Sequence, residues 1–346
     1  MTIAQVLLFL YNNLEMKEKK GSSIMKTNAC ASNLRQEIKK VFIGKDLQID
    51  LILMSIFVGG HVLLDDLPGS GKTTLIKAIS RALGCQFRRV QFTPDLLPSD
   101  ILGMTIYDQS SGDFRTVKGP IFTNILLADE INRAIPRTQS ALLEAMEEQQ
   151  VTLDNESLPV PQPFFVMATQ NPVERESTFT LPAAQMDRFF VRLSLGFPSR
   201  EEEQQMLLTL GDTVDFDVIN TVSSPEMLMA LRQEIQSVHV SDYVSQYIVD
   251  LVHRTREHKA LSSGASPRAS RCLYQGGKSW AAVHGRDYVT PEDIGSIFLP
   301  ILNHRVGLTS EAKYTGRTTD SILSEILSET PVPPRKEAMF HEAAGK

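Results

Sequence analysis

The feature that most constrains the fold is a glycine-rich turn between an apolar run and an amphipathic helix. The turn is Gly69-Ser70-Gly71-Lys72-Thr73; His61-Val62-Leu63-Leu64 precede it, and the helical pattern from Thr73 to Leu83 follows it and stops at Gly84. A turn of this kind, after a strand and at the start of a helix, lets main-chain N–H groups and the helix dipole converge on phosphate oxygens. The sequence therefore predicts an α/β fold with a phosphate-binding loop.

The residue types in this loop match the chemistry of a bound nucleotide. Lys72 supplies an ammonium charge for the phosphate oxygens, and Thr73 supplies a hydroxyl for Mg²⁺. Asp66 stands where the strict pattern has glycine, which is tolerable only if its carboxylate points away from the nucleotide. The alternative is a glycine-rich turn with an incidental lysine. The predicted nucleotide-binding residues are Leu67, Pro68, Gly69, Ser70, Gly71, Lys72, Thr73 and Thr74.

Two further apolar runs end in polar residues. The run Asn124 to Ala128 leads into Asp129 and Glu130, and the run Phe164 to Thr169 leads towards Asn171. Because ligands of open α/β sheets bind at the carboxyl ends of the strands, Asp129 is a candidate to orient Mg²⁺ and Glu130 a candidate base for an attacking water. The alternative for the acids is a solvated acidic loop. For Asn171, spacing alone leaves open a water-holding amide or a plain Asn-Pro turn.

Apolar runs of strand length alternate with helical patterns over the first two hundred residues, which predicts a parallel sheet covered by helices on both faces. The other predicted strands and helices are Phe87 to Phe92, Phe189 to Leu195, Ala31 to Val41, Gln48 to Val58 and Pro136 to Glu148. Two segments, Met104 to Lys118 and Val151 to Pro161, are typical of hairpins. Both lie between core elements, so we expect two hairpins inserted into the basic sheet.

Helical periodicity dominates from about residue 198 onwards. Ser199 with Glu202 three residues on is typical of a helix start, and Thr290-Pro291-Glu292-Asp293 is typical of another. We predict four segments: an N-terminal, flexible extension over 1–30, an α/β domain over 31–197, a small all-helical lid domain over 198–330, and a loose tail over 331–346. A translation start at Met25 is an alternative reading of the extension.

Composition excludes several classes of protein. The net charge of −6 argues against a dedicated nucleic-acid binder, and no apolar run approaches the ~20 residues that a membrane-spanning helix needs. Cys30, Cys85 and Cys272 lie far apart, which fits a reducing compartment. The apolar stretch from Ile3 to Tyr11 lacks both a preceding basic residue and a cleavage site. The sequence therefore predicts a cytoplasmic protein.

Together these residues resemble the AAA+ ATPases, and more closely the MoxR family. The segments that carry the resemblance are His61 to Thr73, Gly119 to Arg133, Ser140 to Glu148, Ala168 to Pro172, Leu181 to Phe189, Gly264 to Arg268 and Asn303 to Arg305. They span roughly residues 35 to 330. Asp66 departs from the strict loop pattern, although aspartate is familiar there among MoxR relatives, and the N-terminal extension lies outside the segments that carry the resemblance.

The resemblance implies roles that spacing does not give. Asn171 matches the sensor 1 position, and Arg188 matches an arginine finger that reaches the ATP of a neighbouring subunit. Arg268, in the first turn of a helix after Ser266-Pro267, matches sensor 2. The alternatives are an ordinary ion pair for Arg188 and a solvated side chain for Arg268. The two hairpins match the helix-2 and pre-sensor 1 inserts, which line the pore of a ring.

The resemblance also implies an activity. It implies that ATP and Mg²⁺ bind between the α/β domain and the lid of a ring-shaped oligomer, a hexamer, and that hydrolysis drives chaperone-like remodelling, maturation or metal insertion of a client protein. A partner with a von Willebrand factor A (VWA) domain is implied by family alone. The alternatives are a nucleic-acid-stimulated motor, which the acidic composition disfavours, and a nucleotide-gated scaffold without catalysis, which the presence of Lys72 and Glu130 disfavours.

Overall fold

The computed structural model of the protein describes residues 26–66, 69–110, 112–153, 156–171, 179–210 and 213–333. Contacts divide the chain into two compact units. Among the described residues, one unit, the sheet unit, comprises those within 33–229 and 303–305; the other, the helical unit, comprises those within 26–32, 230–302 and 306–333. Residues 1–25 of the predicted extension and 334–346 of the predicted tail lie outside the described residues. The predicted boundary at residue 198 stays a prediction, since contacts group residues up to 229 with the sheet.

The strands carry the labels β1 to β11 in chain order. They are β1 (Val62–Asp65), β2 (Phe87–Gln91), β3 (Gly103–Asp108), β4 (Asp113–Lys118), β5 (Ile125–Asp129), β6 (Gln150–Leu153), β7 (Glu156–Pro159), β8 (Phe165–Gln170), β9 (Val191–Leu193), β10 (Leu261–Ser263) and β11 (Gly307–Leu308).

The α-helices carry the labels α1 to α13. They are α1 (residues 26–39), α2 (Asp46–Val58), α3 (Lys72–Ala82), α4 (Pro98–Leu102), α5 (Pro136–Glu148), α6 (Ala183–Met186), α7 (Arg200–Leu210), α8 (Pro225–Gln236), α9 (Asp242–Glu257), α10 (Pro267–Val283), α11 (Pro291–Leu302), α12 (Ser310–Tyr314) and α13 (Thr319–Glu329). Short 3₁₀ turns span Ile131–Arg133 and Phe216–Val218. None of the helices in the described ranges is long and apolar enough to cross a bilayer.

A five-stranded sheet in the order β2-β5-β8-β1-β9 forms the centre of the sheet unit, and every neighbouring pair in it is parallel. Strands β5 and β8 are almost wholly buried, as expected for parallel strands covered on both faces. The predicted α/β fold is therefore confirmed. Strand β2 differs from the apolar run that we expected, because Arg88, Arg89 and Gln91 are exposed at the edge of the sheet.

Two antiparallel hairpins interrupt this sheet, as predicted. Strands β3 and β4 pair from Gly103 opposite Lys118 to Asp108 opposite Asp113, and β6 pairs with β7. Residues 154 and 155, between β6 and β7, lie outside the described residues. The first hairpin exposes a pair of aromatic side chains, Tyr107 and Phe114, whose rings stack edge to face at 5.3 Å.

The structure differs from the predicted flexible extension over residues 26–30, which are helical. They belong to the first turns of α1, and Thr27 and Cys30 within them are buried. The apolar face of α1 runs through Thr27, Cys30, Ala31, Leu34 and Ile38, a helical spacing. Its first members are small or weakly apolar, so the periodicity became recognisable only from Ala31 onwards.

The helix-opening pairs behave as predicted. At α7, the Ser199 N–H donates to Glu202 Oε2 at 2.8 Å and the Glu202 N–H donates back to Ser199 Oγ at 3.2 Å. At α11, the Thr290 N–H donates to Asp293 Oδ2 at 2.8 Å. These reciprocal bonds satisfy main-chain donors that the first helical turn leaves without partners. The helical unit also contains a two-stranded sheet of β10 and β11, which the helical periodicity did not indicate.

Candidate functional site

The predicted phosphate loop connects β1 to α3. Gly69 and Gly71 both have left-handed backbone conformations, with φ of 86° and 82°. A Cβ atom on Gly71 would also come within 3.0 Å of the Phe42 ring. Only glycine adopts this backbone without strain, so the sequence Gly-x-Gly is required for the path of the chain. Leu67 and Pro68, two of the predicted contacts, lie outside the described residues.

The polar groups of the loop fit a phosphate. The Lys72 ammonium donates to the main-chain oxygen of Asp66 at 2.9 Å, so it points back over the loop. The Ser70 hydroxyl oxygen is buried and has no hydrogen-bond partner among the described residues. Thr73 and Thr74 lie half-buried in the first turn of α3. Buried polar groups normally find partners, and phosphate oxygens would supply one for Ser70.

The carboxylate of Asp66 points away from the loop, as the sequence argument required. Its Oδ1 atom accepts from the Ser194 hydroxyl at 2.7 Å and from the Gly196 N–H at 2.9 Å, and its Oδ2 atom accepts from the Leu195 N–H at 2.8 Å. Asp66 is 3% exposed. The residue therefore ties the end of β1 to the segment that follows β9, and it leaves the loop open to an anion.

Replacing Asp66 with alanine is expected to destabilise the protein by about 2–4 kcal/mol, because three donors around a buried carboxylate lose their acceptor. Urea unfolding monitored by circular dichroism measures this change. The matched control is Asp113→Ala at an exposed position of β4, which should cost less than about 0.5 kcal/mol. Equal stabilities for the two variants would contradict the anchoring role of Asp66.

Three neighbouring strands bring the other candidates to the same edge of the sheet. In the register of the sheet, Gln91 lies opposite Asp129, and Asp65 lies opposite Gln170. The carboxyl ends of β5, β8 and β1 therefore lie side by side, as expected from the polar ends of these strands. Asp129 and Glu130 therefore lie at the same edge of the sheet as the end of β1, which leads into the phosphate loop, with β8 between the two strands.

Asp129 is held by two side chains from different strands. Its Oδ1 atom accepts from the Thr169 hydroxyl at 2.6 Å, and its Oδ2 atom accepts from Arg89 Nη2 at 2.6 Å. The same Thr169 oxygen accepts from the Glu130 N–H at 2.8 Å. A carboxylate that is 8% exposed and oriented in this way is an oxygen donor of the kind that Mg²⁺ prefers.

Glu130 has an unusual backbone and a defined side-chain position. Its φ of 55° and ψ of 50° place it in the left-handed region, which non-glycine residues adopt rarely and often at functional sites. Its Oε2 atom accepts from Gln91 Nε2 at 2.8 Å and from Arg133 Nη1 at 3.0 Å. These two bonds keep the carboxylate at the edge of the sheet, where a general base would be needed.

Asn171 directly follows β8 and is 6% exposed. Its N–H donates to Asn132 Oδ1 at 3.4 Å, and its main-chain oxygen accepts from Asn132 Nδ2 at 3.2 Å. The main chain at the end of β8 is thus fixed to the turn that follows Glu130. Pro172, the other half of the predicted Asn-Pro turn, lies outside the described residues.

The two candidate arginines occupy different units. Arg188 follows α6 in the sheet unit, and its Nε atom forms an ion pair with Glu147 Oε2 of α5 at 2.9 Å. Arg268 is exposed in the helical unit, in the first turn of α10 after Ser266 and Pro267. The predicted local structure of Arg268 is therefore present, and the roles of both residues stay predictions.

Sequence reasoning missed the side chains that hold Asp129, Glu130 and Asn171 in place. These are Arg89, Gln91, Asn132, Arg133 and Thr169. The signal for two of them was present, because three of the five residues of β2 are polar, whereas a buried strand would be apolar throughout. Which acid each side chain meets depends on strand order, which the sequence pattern does not contain.

The sheet order, the loop and the paired acids place the chain in the AAA class of ATPases. Residues 61–191 match the ATPase family associated with various cellular activities (AAA), and residues 253–326 match the AAA lid domain. A crystal structure of a candidate ATPase from Cytophaga hutchinsonii superposes with a TM-score of 0.85 and 37% identity, and the match covers 93% of this chain and 99% of that one.

Relatives of similar sequence identify the family within this class. The chain is 45% identical over 305 residues to the uncharacterized protein YeaC of Bacillus subtilis, covering 88% of this chain and 95% of YeaC. It is 38% identical over 306 residues to Chaperone MoxR1 of Mycobacterium tuberculosis, covering 86% and 81% of the two chains. The chain belongs to the MoxR family of AAA+ ATPases.

Proposed function

We propose that the chain binds and hydrolyses ATP at this site, and that it does so in a ring of identical subunits, a hexamer. The observation that carries the proposal is the arrangement at the carboxyl edge of the sheet. Here the phosphate loop that leads to Lys72 follows β1, and Asp129 and Glu130 lie at the end of β5, two strands away at the same edge of the sheet. Membership of the AAA+ class supports the same activity.

Each residue has a part in the proposed reaction. Glu130 accepts a proton from the attacking water, while Lys72 and Asn171 stabilise charge on the oxygens of the transferred group. Arg188 of the neighbouring subunit adds a second positive charge, and Arg268 contacts the nucleotide from the lid. The hydroxyl of Thr73 and the carboxylate of Asp129 are oxygen ligands suited to Mg²⁺, which would neutralise phosphate charge when bound.

We further propose that hydrolysis remodels a client protein in the cytoplasm. The name of the relative Chaperone MoxR1 supports a chaperone role, and the exposed aromatic pair on the β3–β4 hairpin supplies an apolar contact. Client maturation, metal insertion and a VWA-domain partner belong to the proposal on family resemblance. The cytoplasmic location is proposed because three cysteines lie far apart in sequence, as is common in proteins of a reducing compartment.

Purified protein tests the core of this proposal. We expect saturable binding of magnesium nucleotide by calorimetry, steady release of phosphate from ATP, and a nucleotide-dependent assembly several times heavier than the 38.6 kDa chain. Binding without turnover would favour the nucleotide-gated scaffold. Turnover that rises severalfold on adding DNA or RNA at low salt would favour the nucleic-acid motor instead.

A further inference from the structure

Three residues after α11 hold the segment that contains Arg188. Asn303, His304 and Arg305 make their contacts within the sheet unit, although the residues on both sides of them group with the helical unit. They bond to main-chain oxygens between residues 187 and 192. No role was assigned to these three residues from the sequence.

Arg305 provides most of these bonds. Its Nε atom donates to Asp187 Oδ1 at 2.6 Å, its Nη2 atom to the main-chain oxygens of Phe189 at 2.6 Å and Asp187 at 3.3 Å, and its Nη1 atom to that of Phe190 at 3.1 Å. The Arg305 side chain is only 2% exposed. A buried guanidinium thus spans the residues immediately before and after Arg188.

His304 reinforces the same segment. It is 3% exposed, and its Nε2 atom lies 3.0 Å from the main-chain oxygen of Phe189. Burial, together with the neighbouring Arg305 charge, lowers the pKa of His304 well below its usual value, so the ring is neutral and donates this bond from Nε2. Asn303 Nδ2 donates to the main-chain oxygen of Arg192 at 3.3 Å.

The Arg188 side chain is less constrained than its backbone. It is 30% exposed and pairs with Glu147, which is itself 40% exposed. An ion pair with this exposure contributes little to stability. The direction in which the Arg188 side chain points therefore depends mainly on the backbone at residues 187–190, to which Arg305 is hydrogen-bonded.

We propose that Arg305 is a positioning residue for ATP hydrolysis. It fixes the backbone around Arg188 so that the Arg188 guanidinium reaches the phosphates of the nucleotide bound to the neighbouring subunit. The inference rests on the proposed function. Misplacing a reacting group by about 1 Å can cost about 100-fold in rate. The proposal therefore predicts that Arg305 influences the catalytic rate without touching the nucleotide.

Lysine is the informative substitution at position 305. It keeps the positive charge beside Asp187, but a single ammonium cannot span a carboxylate and three main-chain oxygens as a planar fork does. We expect Arg305→Lys to lower kcat at least about 10-fold and to change the dissociation constant for magnesium nucleotide less than about threefold. Phosphate-release kinetics and calorimetry measure the two quantities.

Arg286→Lys is the matched control. Arg286 donates to both oxygens of Asp293 at 2.5 Å and lies in the helical unit, away from the Arg188 segment in sequence. If replacing any arginine that donates several hydrogen bonds were enough to lower kcat, Arg305→Lys and Arg286→Lys would lower it alike. That result would overturn the proposal. We expect Arg286→Lys to retain kcat within about twofold.

A double variant tests whether Arg305 acts through Arg188. Arg188→Ala is expected to lower kcat at least about 100-fold. Adding Arg305→Lys to it should lower the single-turnover rate by less than about twofold more, because residues that act as a unit are not additive. A further loss as large as the loss in the parent protein would show an independent effect and overturn the proposal.

The turnover of assemblies mixed from two variants distinguishes a positioning defect from a folding defect. An Arg305→Lys chain keeps Glu130 but presents Arg188 poorly, whereas a Glu130→Gln chain presents Arg188 normally but lacks the base. Mixed assemblies should therefore regain several times the turnover of either variant alone. Absence of recovery in assemblies confirmed to be mixed would contradict the positioning role.

Failure of the inference is distinguishable from failure of the proposed function. If the parent protein does not hydrolyse ATP, the proposed function is wrong. If the parent is active and Arg188→Ala is inactive, but Arg305→Lys retains full kcat, only the inference is wrong. Should Arg305→Lys not fold, Asp187→Asn weakens the same contact; it should lower kcat at least threefold, and an unchanged kcat would overturn the inference.

Discussion

Replacing Lys72 with alanine is expected to abolish nucleotide binding. The change should weaken the affinity for magnesium nucleotide at least about 100-fold, equivalent to about 2.7 kcal/mol. The Lys72 ammonium lies 2.9 Å from a main-chain oxygen of its own loop, where phosphate would offer a charged acceptor and a stronger, charge-assisted bond. Titration calorimetry with magnesium ADP measures the affinity directly.

The control for Lys72→Ala is Lys77→Ala, an exposed lysine five residues further along α3. This variant removes the same charge from the same helix, so a general electrostatic effect would weaken binding in both proteins. We expect Lys77→Ala to bind nucleotide within about threefold of the parent. If folded Lys72→Ala also binds as tightly as the parent, the Gly69–Thr73 segment is not the phosphate site.

Much of the fold was predictable because burial leaves a periodic trace in the sequence. Strands β5 and β8 are almost wholly buried, and the first four residues of each are apolar, while α3 and α5 bury one face each. The same logic failed at the start of α1, where Thr27 and Cys30 are buried but weakly apolar. Small residues carry too little hydrophobicity to mark a buried face.

The residues of the site also differ in whether the sequence alone could predict them. Residues that work within one contiguous loop, such as Lys72 and Thr73, are visible in a single line of sequence. The partners of Glu130 and Asp187 are not, because Gln91 lies 39 residues from Glu130 and Arg305 lies 118 residues from Asp187. Such pairs arise from the order and register of the strands, so they become visible only in three dimensions.

Glu130→Gln is the substitution that separates binding from hydrolysis. An amide cannot accept the proton of the attacking water, so we expect turnover to fall at least about 100-fold, within the about 10²–10⁴ range typical of general bases. Glutamine has the same shape and can still accept from Gln91 and Arg133, whose bonds orient the carboxylate in the parent. Affinity for magnesium ATP should therefore stay within about threefold.

The matched control is Glu311→Gln, which neutralises an exposed acid of the helical unit and should leave turnover unchanged. Rapid-quench measurement of a single turnover, combined with calorimetric binding, separates the two effects. Parental turnover in Glu130→Gln would place the base elsewhere, whereas loss of both binding and turnover would make the carboxylate part of the nucleotide site. Only retained binding with lost turnover fits a base held at the edge of the sheet, beside a loop that binds phosphate without it.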